Sequence, residues 1–236
     1  MDHERQRIAE DLRGVVAGEV LCDDASRALY ATDGSLFEVW PLAVVRPRNV
    51  DDVAATVRWA AERRVPLHPR GAGTSLTGDS LGGGVVIDCS RFLRRIVSTT
   101  DDTVRVQPGV VGVQLEDHLR VRGRCFGPDP ASAAVTTLGG MIGRNTSGSR
   151  FLRHGAVRDR LLSAQVVLGD GTVVELSPTA PGTLEPVPPA DPAARVAHLA
   201  AGMDRILREE AAVISAGQPR RRLSHGGYRL DDVARG

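Results

Sequence analysis

Along this chain, stretches whose apolar residues recur every three or four positions alternate with short unbroken apolar runs, as expected for helices interleaved with strands. Ile8, Leu12, Val15 and Val16 fall on one face of a helix predicted over residues 3–16 and stopped near Gly14 to Gly18. A second short helix is predicted over residues 25–31, and the Asp33-Gly34 turn leads through Pro41 into a strand at residues 43–46. Asn49 or Asp51 can cap the next helix, in which Val53, Val57, Ala60 and Ala61 repeat at helical spacing. Residues 65–69 are broken by prolines, so they form a short edge strand or an extended entry.

Further along, residues 84–88 read as a buried strand, and residues 103–107 alternate as a half-exposed strand does. Pro108-Gly109 turns the chain into a helix predicted over residues 113–121, followed by a loop over residues 123–132 that contains Pro128-Asp-Pro130. An apolar strand at residues 161–168 meets the hairpin signal Gly169-Asp-Gly171 and continues into residues 172–176. Six prolines between positions 178 and 192 mark residues 177–192 as a loop or linker. Asp191 caps and Pro192 opens a last helix, with Val196, Leu199, Ala200, Met203, Ile206 and Leu207 on one stripe. Helices set between β segments indicate an α+β or mixed α/β domain.

Composition narrows the partners. With 236 residues and 42% hydrophobic content the chain can bury the core of one large domain or two small ones. A net charge of +1 and 3% aromatics leave neither a field nor a stacking surface for nucleic acid. Cys22, Cys89 and Cys125 are odd in number with no pair at metal-ligand spacing, and read as reduced, buried thiols, with no zinc or iron–sulfur site in the chain. No apolar run follows the N-terminus, so neither a signal peptide nor a spanning helix is expected. A cytoplasmic protein, with peripheral attachment at the cytoplasmic membrane as the variant, is the expectation.

Two stretches carry candidate chemistry. Pro69-Arg-Gly-Ala-Gly-Thr-Ser-Leu-Thr-Gly78 combines three glycines, three hydroxyl residues and one arginine. Glycines let successive N–H groups point inward around an anion, the hydroxyls of Thr74, Ser75 and Thr77 add donors, and Arg70 can add a positive fork, so a pyrophosphate suits the stretch. Taken alone it reads equally as a surface turn. It is neither a P-loop, which needs Gly-Lys followed by Ser or Thr, nor G-x-G-x-x-G, which needs glycine at Leu76. A second block, residues 136–148, has glycines at 139, 140, 143 and 148 with Asn145 and Ser147 as polar contacts. It suits close approach of a flat ligand, or else starts a helix at residues 138–142 with tight glycine packing. The basic triplet at residues 220–222 reads as a solvated surface.

With these blocks in this order, the chain resembles the FAD-binding domain of the vanillyl-alcohol oxidase flavoprotein family, the PCMH-type FAD domain, over residues 42–176. The matching parts are Arg70-Gly-Ala-Gly-Thr-Ser-Leu-Thr-Gly78, Gln107-Pro-Gly109, Pro128-Asp-Pro-Ala-Ser132, Leu138-Gly-Gly140, Asn145-Thr-Ser-Gly148, His154-Gly155 and Leu168-Gly-Asp-Gly171. The resemblance implies an α+β, two-subdomain PCMH-type fold with mixed sheets flanked by helices. It implies a helical lead-in at 1–40, the FAD-binding domain at 41–176, the linker at 177–192, and a helix and tail at 193–236 leading to a cap beyond the chain.

By the same resemblance, Arg70, Gly71, Ala72, Gly73, Thr74, Ser75, Thr77 and Gly78 hold the FAD pyrophosphate. Pro130, Ser132, Thr137, Gly139, Gly140, Asn145, Ser147 and Gly148 line the flavin and its ribityl chain, and Asp159 and Val166 lie near the adenosine. His154 and Gly155 are counted with the cofactor-binding residues, His154 standing where many relatives have tyrosine. Relatives that attach FAD covalently often place histidine where this chain has Thr74, so non-covalent FAD is expected.

Within the family the likeness is to FAD-linked 2-hydroxy-acid dehydrogenases of the D-lactate and glycolate type. The tail Ser224-His-Gly-Gly-Tyr-Arg-Leu-Asp-Asp-Val233 is similar to that of long members fused to an iron–sulfur half. The implied activity is oxidation of a D-2-hydroxy acid, with electrons passed to an iron–sulfur domain or subunit or to a quinone. Catalytic residues are implied to lie in the cap, outside this chain. The alternatives are a non-catalytic FAD-binding subunit, or the same flavin domain acting on an alcohol or sugar.

Overall fold

A computed structural model describes residues 3–178, 192–217 and 230. Residues 179–191 of the expected proline-rich linker, with the helix cap at Asp191, the basic triplet and, apart from Leu230, the tail quoted above, lie outside the described residues. By their contacts the residues form two units: 1–161 together with 167–172, and 162–166 together with 173–236.

The first unit is built on a four-stranded sheet. In chain order come α1 (His3–Arg13), β1 (Glu19–Leu21), α2 (Asp24–Tyr30), β2 (Ala43–Arg46), α3 (Val50–Arg63), β3 (Leu67–Arg70) and β4 (Val85–Asp88). The strand order is β1-β2-β4-β3, with β2, β4 and β3 parallel and β1 antiparallel to β2. Central β2 and β4 are unbroken apolar runs because helices cover both faces, and Ala43, Val44, Val45, Val85 and Val86 are fully buried. One face packs on Ile8, Ala9 and Leu12 of α1 and Trp59 and Ala60 of α3, and the other on Tyr30 of α2. Each fully buried large side chain here contributes about 1.5–3 kcal/mol of hydrophobic stabilisation. β3, with Pro69, takes the edge position that a proline requires.

Local signals set the helix ends. The Asn49 carboxamide oxygen accepts the Asp52 amide at 2.9 Å to start α3, which stops at Arg64 in a left-handed conformation (φ 56°). The first helix ends at Arg13, earlier than the apolar pattern predicts: past Gly14 the chain tightens, with the Val15 amide on the Leu12 carbonyl at 3.0 Å, and Val15 is 47% exposed. Asp52, 4% exposed, ties α3 to the chain around it: its carboxylate accepts the amides of Ala17 and Arg48, both at 2.8 Å.

The rest of the first unit comprises β5 (Ile96–Thr99), β6 (Val104–Val106), α4 (Gly112–Arg120), α5 (Leu138–Gly143), α6 (Phe151–His154) and a 3-10 turn (Val157–Arg160). A second core of Val110, Leu115, Leu119, Leu138, Met141 and Val157 lies under α4 and α5. The stretch at 138–142 is thus a helix, the alternative that its glycines left open. The three cysteines are free; Cys22 is buried as expected, but Cys125 is exposed, because it follows the surface turn at Gly123.

The second unit holds the strand residues Ala164 to Val166, where β7 (Ala164–Val167) begins, then β8 (Val173–Leu176), α7 (Pro192–Glu209) and α8 (Ala211–Gly217). The hairpin expected at Gly169-Asp-Gly171 forms, with the Leu168 amide on the Thr172 carbonyl at 2.9 Å. The strand starts at Ala164 rather than 161 because the 3-10 turn runs to Arg160. Helix α7 packs on β8, while Leu199, Met203 and Ile206 stay 47, 44 and 46% exposed. No helix among the described residues is long and apolar enough to cross a membrane.

Replacing Asp52 by alanine removes the buried acceptor of two amides, each left without a partner. The expected cost is about 3 kcal/mol in denaturant unfolding, seen as a lower midpoint at unchanged slope.

Candidate functional site

Strand β3 ends at Arg70, whose carbonyl still accepts the Cys89 amide at 3.0 Å, one step beyond the end of β4. The glycine loop therefore leaves the sheet at the carboxyl end of its parallel strands, where open α/β sheets place their ligands. The Arg70 fork does not point into the loop. Its Nη1 and Nη2 donate to the carbonyls of Tyr30 and Thr32 at 3.2 and 2.8 Å, and the guanidinium lies 5.2 Å over the Tyr30 ring. Gly73 sits directly on it, with a left-handed φ of 68°, and a Cβ there would lie 2.4 Å from Nη2. Burial lowers the pKa of Arg70, partly countered by the charge of Asp33 and the neighbouring Tyr30 and Asp88.

Tyr30 is fixed in turn. Its hydroxyl donates to Asp88 Oδ2 at 2.6 Å and accepts from Arg46 Nε at 2.9 Å. The other oxygen of Asp88 accepts the amide and hydroxyl of Ser90 at 2.7 and 2.6 Å. Burial, reinforced by the Asp88 carboxylate, pushes the Tyr30 phenol up to about 12.

Above this support, no amide from Gly71 to Leu76 donates to another described group. Six consecutive amides without a partner among the described residues is the pattern that a glycine-rich anion loop would need. The Gly34 amide also ties the loop, donating to the Gly73 carbonyl at 3.0 Å.

The second block closes against the first. Thr137 caps α5, its Oγ1 accepting the Gly140 amide at 3.4 Å, and a Cβ on Gly71 would lie 2.1 Å from that same Oγ1. The Thr74 and Thr136 hydroxyls are 3.2 Å apart, and Thr136 donates to Ser132 Oγ at 2.7 Å. Gly139 backs onto Pro108, with its amide on the Pro108 carbonyl at 2.8 Å and no room for a Cβ, which would lie 2.8 Å from the Pro108 Cβ. From α5 the Arg144 side chain reaches back to Thr77 Oγ1 at 3.4 Å and forms an ion pair with Asp79.

The structure thus joins residues 71–78 to Ser132, Thr137 and α5. Pro130 follows Asp129, whose amide donates to the Ser147 carbonyl at 2.9 Å, and Gly148 (φ 113°) packs on the same peptide. Asn145, at φ 47°, accepts the Arg158 amide at 3.1 Å. His154, Gly155 and Asp159 form a cluster of their own: Asp159 accepts the Ala156 amide at 2.8 Å, and a Cβ on Gly155 would lie 2.3 Å from Asp159 Oδ2. His154 packs on Gly127. Val166 is a half-buried residue of β7 in the second unit. Thr136, Asp79 and Arg144 escaped the sequence reading. For the charged pair the signal was faint: opposite charges one residue past Gly78 and one past Gly143.

The family model described as FAD binding domain matches residues 41–177, and the chain belongs to this family, the PCMH-type FAD domain. D-2-hydroxyglutarate dehydrogenase of Escherichia coli (strain K12) is 36% identical over 166 residues, covering 68% of this chain and 16% of that protein. Glycolate oxidase subunit GlcD of Bacillus subtilis (strain 168) is 34% identical over 166 residues, covering 67% and 35%. A probable mitochondrial D-lactate dehydrogenase of Danio rerio is 34% identical over 175 residues, covering 72% and 35%. Among solved structures, an alkyldihydroxyacetonephosphate synthase superposes with TM-score 0.64 at 24% identity, covering 75% of this chain and 34% of that one. A chitooligosaccharide oxidase superposes with TM-score 0.62 at 24% identity, covering 73% and 37%. These last two establish the fold. The chain spans well under half the length of the relatives it matches.

The raised Tyr30 pKa has a defined sign. A phenol titrating at about 12 in the fold and near its ordinary value of 10.0 when unfolded adds stability in full below pH 10, and loses it as pH rises toward 12. The unfolding free energy of the wild type minus that of Tyr30→Phe should therefore be constant up to pH 10 and shrink above it. A difference that instead grows above pH 10 would refute the assignment.

Proposed function

We propose that the chain is the FAD-binding portion of a flavin-dependent oxidoreductase that oxidises a D-2-hydroxy acid. The observation that carries this reading is the meeting of the two glycine and hydroxyl blocks, at Thr74 with Thr136 and at Gly71 with Thr137, over six unpartnered amides. A diphosphate needs convergent donors without side-chain bulk, and residues 71–78 supply them, so the residues present fit the cofactor. In this reading the amides from Gly71 to Leu76, with the hydroxyls of Thr74, Ser75 and Thr77, hold the pyrophosphate. Arg70 acts from below by fixing Gly73. Pro130, Ser132, Thr137, Gly139, Gly140, Asn145, Ser147 and Gly148 form the wall for the flavin and ribityl chain, and Asp159 serves the adenosine end.

Bound FAD would supply the two-electron acceptor for the α-carbon hydride of the hydroxy acid; the chain's residues orient it and keep water from one face. Substrate class is supported by the relatives, whose names specify D-2-hydroxyglutarate, D-lactate and glycolate. Electrons would then pass to an iron–sulfur or quinone acceptor outside residues 1–236. Thr74 has no nucleophilic nitrogen, and its hydroxyl is shared with Thr136, so the cofactor is held without a covalent bond.

FAD added to the purified chain should lose its fluorescence saturably, with a Kd on the order of micromolar, while riboflavin, which lacks the diphosphate, should bind far more weakly. Equal binding of the two would remove the diphosphate assignment. In the longer protein that carries the expected cap, D-2-hydroxy acids added anaerobically should bleach the flavin absorbance, whereas simple alcohols and sugars should not; the reverse pattern would overturn the substrate class. Unfolding the loaded chain should release all its flavin to a size filter, and colour kept on the polypeptide would show a covalent link.

A further inference from the structure

The charged pair at the mouth of the loop does more than join two elements. Asp79 Oδ2 gathers three donors: the hydroxyls of Ser75 and Thr77, each at 2.7 Å, and a guanidinium nitrogen of Arg144. Ser75 and Thr77 are two of the hydroxyls that the loop offers to an anion, and Arg144 is the cation that reaches the loop from the second block. Arg70 does not compete for that part, since its fork is given to the Tyr30 and Thr32 carbonyls. One carboxylate oxygen therefore holds the hydrogen-bonding environment that a phosphate oxygen would seek. Both side chains are close to half exposed, at 57% for Arg144 and 45% for Asp79, so the pair is screened by water and its partners can be exchanged.

We propose that Asp79 is an internal stand-in for the cofactor's diphosphate: it occupies Ser75, Thr77 and Arg144 until the phosphate takes them over, which makes Arg144 the cation of the site and Asp79 the residue that limits its affinity. This rests on the FAD reading above. On binding, Arg144 exchanges one anion for another and keeps its charge paired, while the Asp79 carboxylate turns out to water. The two hydroxyls likewise change acceptor without loss of a bond. The lowered pKa of Asp79, set first by its bonds to Ser75 and Thr77, agrees with an ionised group held by converging donors.

The proposal separates from a plain clamp by the direction of two substitutions. If the pair only held the blocks together, Asp79→Asn and Arg144→Gln would both weaken FAD binding. As a stand-in, Asp79→Asn should tighten FAD binding about 3- to 10-fold, and Arg144→Gln should weaken it by a similar factor and flatten its salt dependence. Titrations of the full chain by flavin fluorescence, with inorganic pyrophosphate as competitor, read both effects without any turnover. Pyrophosphate should compete more effectively in Asp79→Asn than in the wild type. Asp79→Ser serves as a second variant, and thermal melts of each establish that it folds.

Changes of the same sign in the two variants, or none, would overturn the proposal while leaving the FAD reading intact, provided the wild type binds. If the wild type, Asp79→Asn and Asp79→Ser all fail to bind FAD, the reading and the inference fall together. Binding by the Asp79 variants alone would be the strongest support.

Discussion

The site depends on a guanidinium trapped beneath a glycine. Arg70 leaves the last position of an edge strand, turns under its own loop, and spends two nitrogens on carbonyls at the end of α2. Taking a cation partly out of water is costly unless its donors are satisfied. Here two carbonyls and the face of Tyr30 satisfy them, and Asp33 and Asp88 supply opposite charge nearby. Once in place, the side chain fills the volume under Gly73, which is why that residue has a left-handed φ and no side chain. The loop's shape is therefore set from below, by polar contacts between α2, β3 and β4.

The support reaches into the sheet through Tyr30. Its ring is part of the core with Val44 and Val86, while its hydroxyl joins Arg46 and Asp88 at the ends of β2 and β4. A single side chain thus couples apolar packing to the polar network at the carboxyl ends of the strands. Asp88, 4% exposed, tolerates burial because both its oxygens accept bonds and Arg46 lies 3.6 Å away.

Much of this was legible in the sequence, for reasons that differ by element. Unbroken runs such as Val85-Val-Ile-Asp88 announce a strand covered on both faces, and Pro69 confines its strand to an edge. The glycine blocks stood out because small residues and hydroxyls concentrate where a backbone must approach something closely. The direction of Arg70 was not legible. An arginine beside a glycine loop suggests a ligand contact, and only the three-dimensional position of the Tyr30 and Thr32 carbonyls, about forty residues upstream, turns it inward. Short elements such as β1 and α6 also escaped, because three or four residues carry too little periodicity to be read. The Asp79–Arg144 pair escaped for a third reason: it is a contact across 65 residues, and the position of each charge just after a glycine is too faint a signal to pair them.

What keeps the two blocks in register is a turn that offers no chemistry of its own. Gln107-Pro-Gly109 crosses between them: the Gly109 amide donates to the Leu93 carbonyl at 2.7 Å, and the Gly139 amide to the Pro108 carbonyl at 2.8 Å. A Cβ on Gly109 would lie 2.3 Å from the Cys89 carbonyl, in the residue that follows β4 and donates to Arg70. The start of α5 is thereby fixed, through one tight turn, to the same strand ends from which the first loop departs. The core under α5 then holds the helix from the other side through Leu138 and Met141. Because both blocks are anchored to the ends of β3 and β4, displacing Pro108 or Gly109 would move the second block relative to the first without altering a residue of either. The separation between the two blocks is therefore set in good part by backbone contacts, with the Asp79–Arg144 pair as an exposed contact between them.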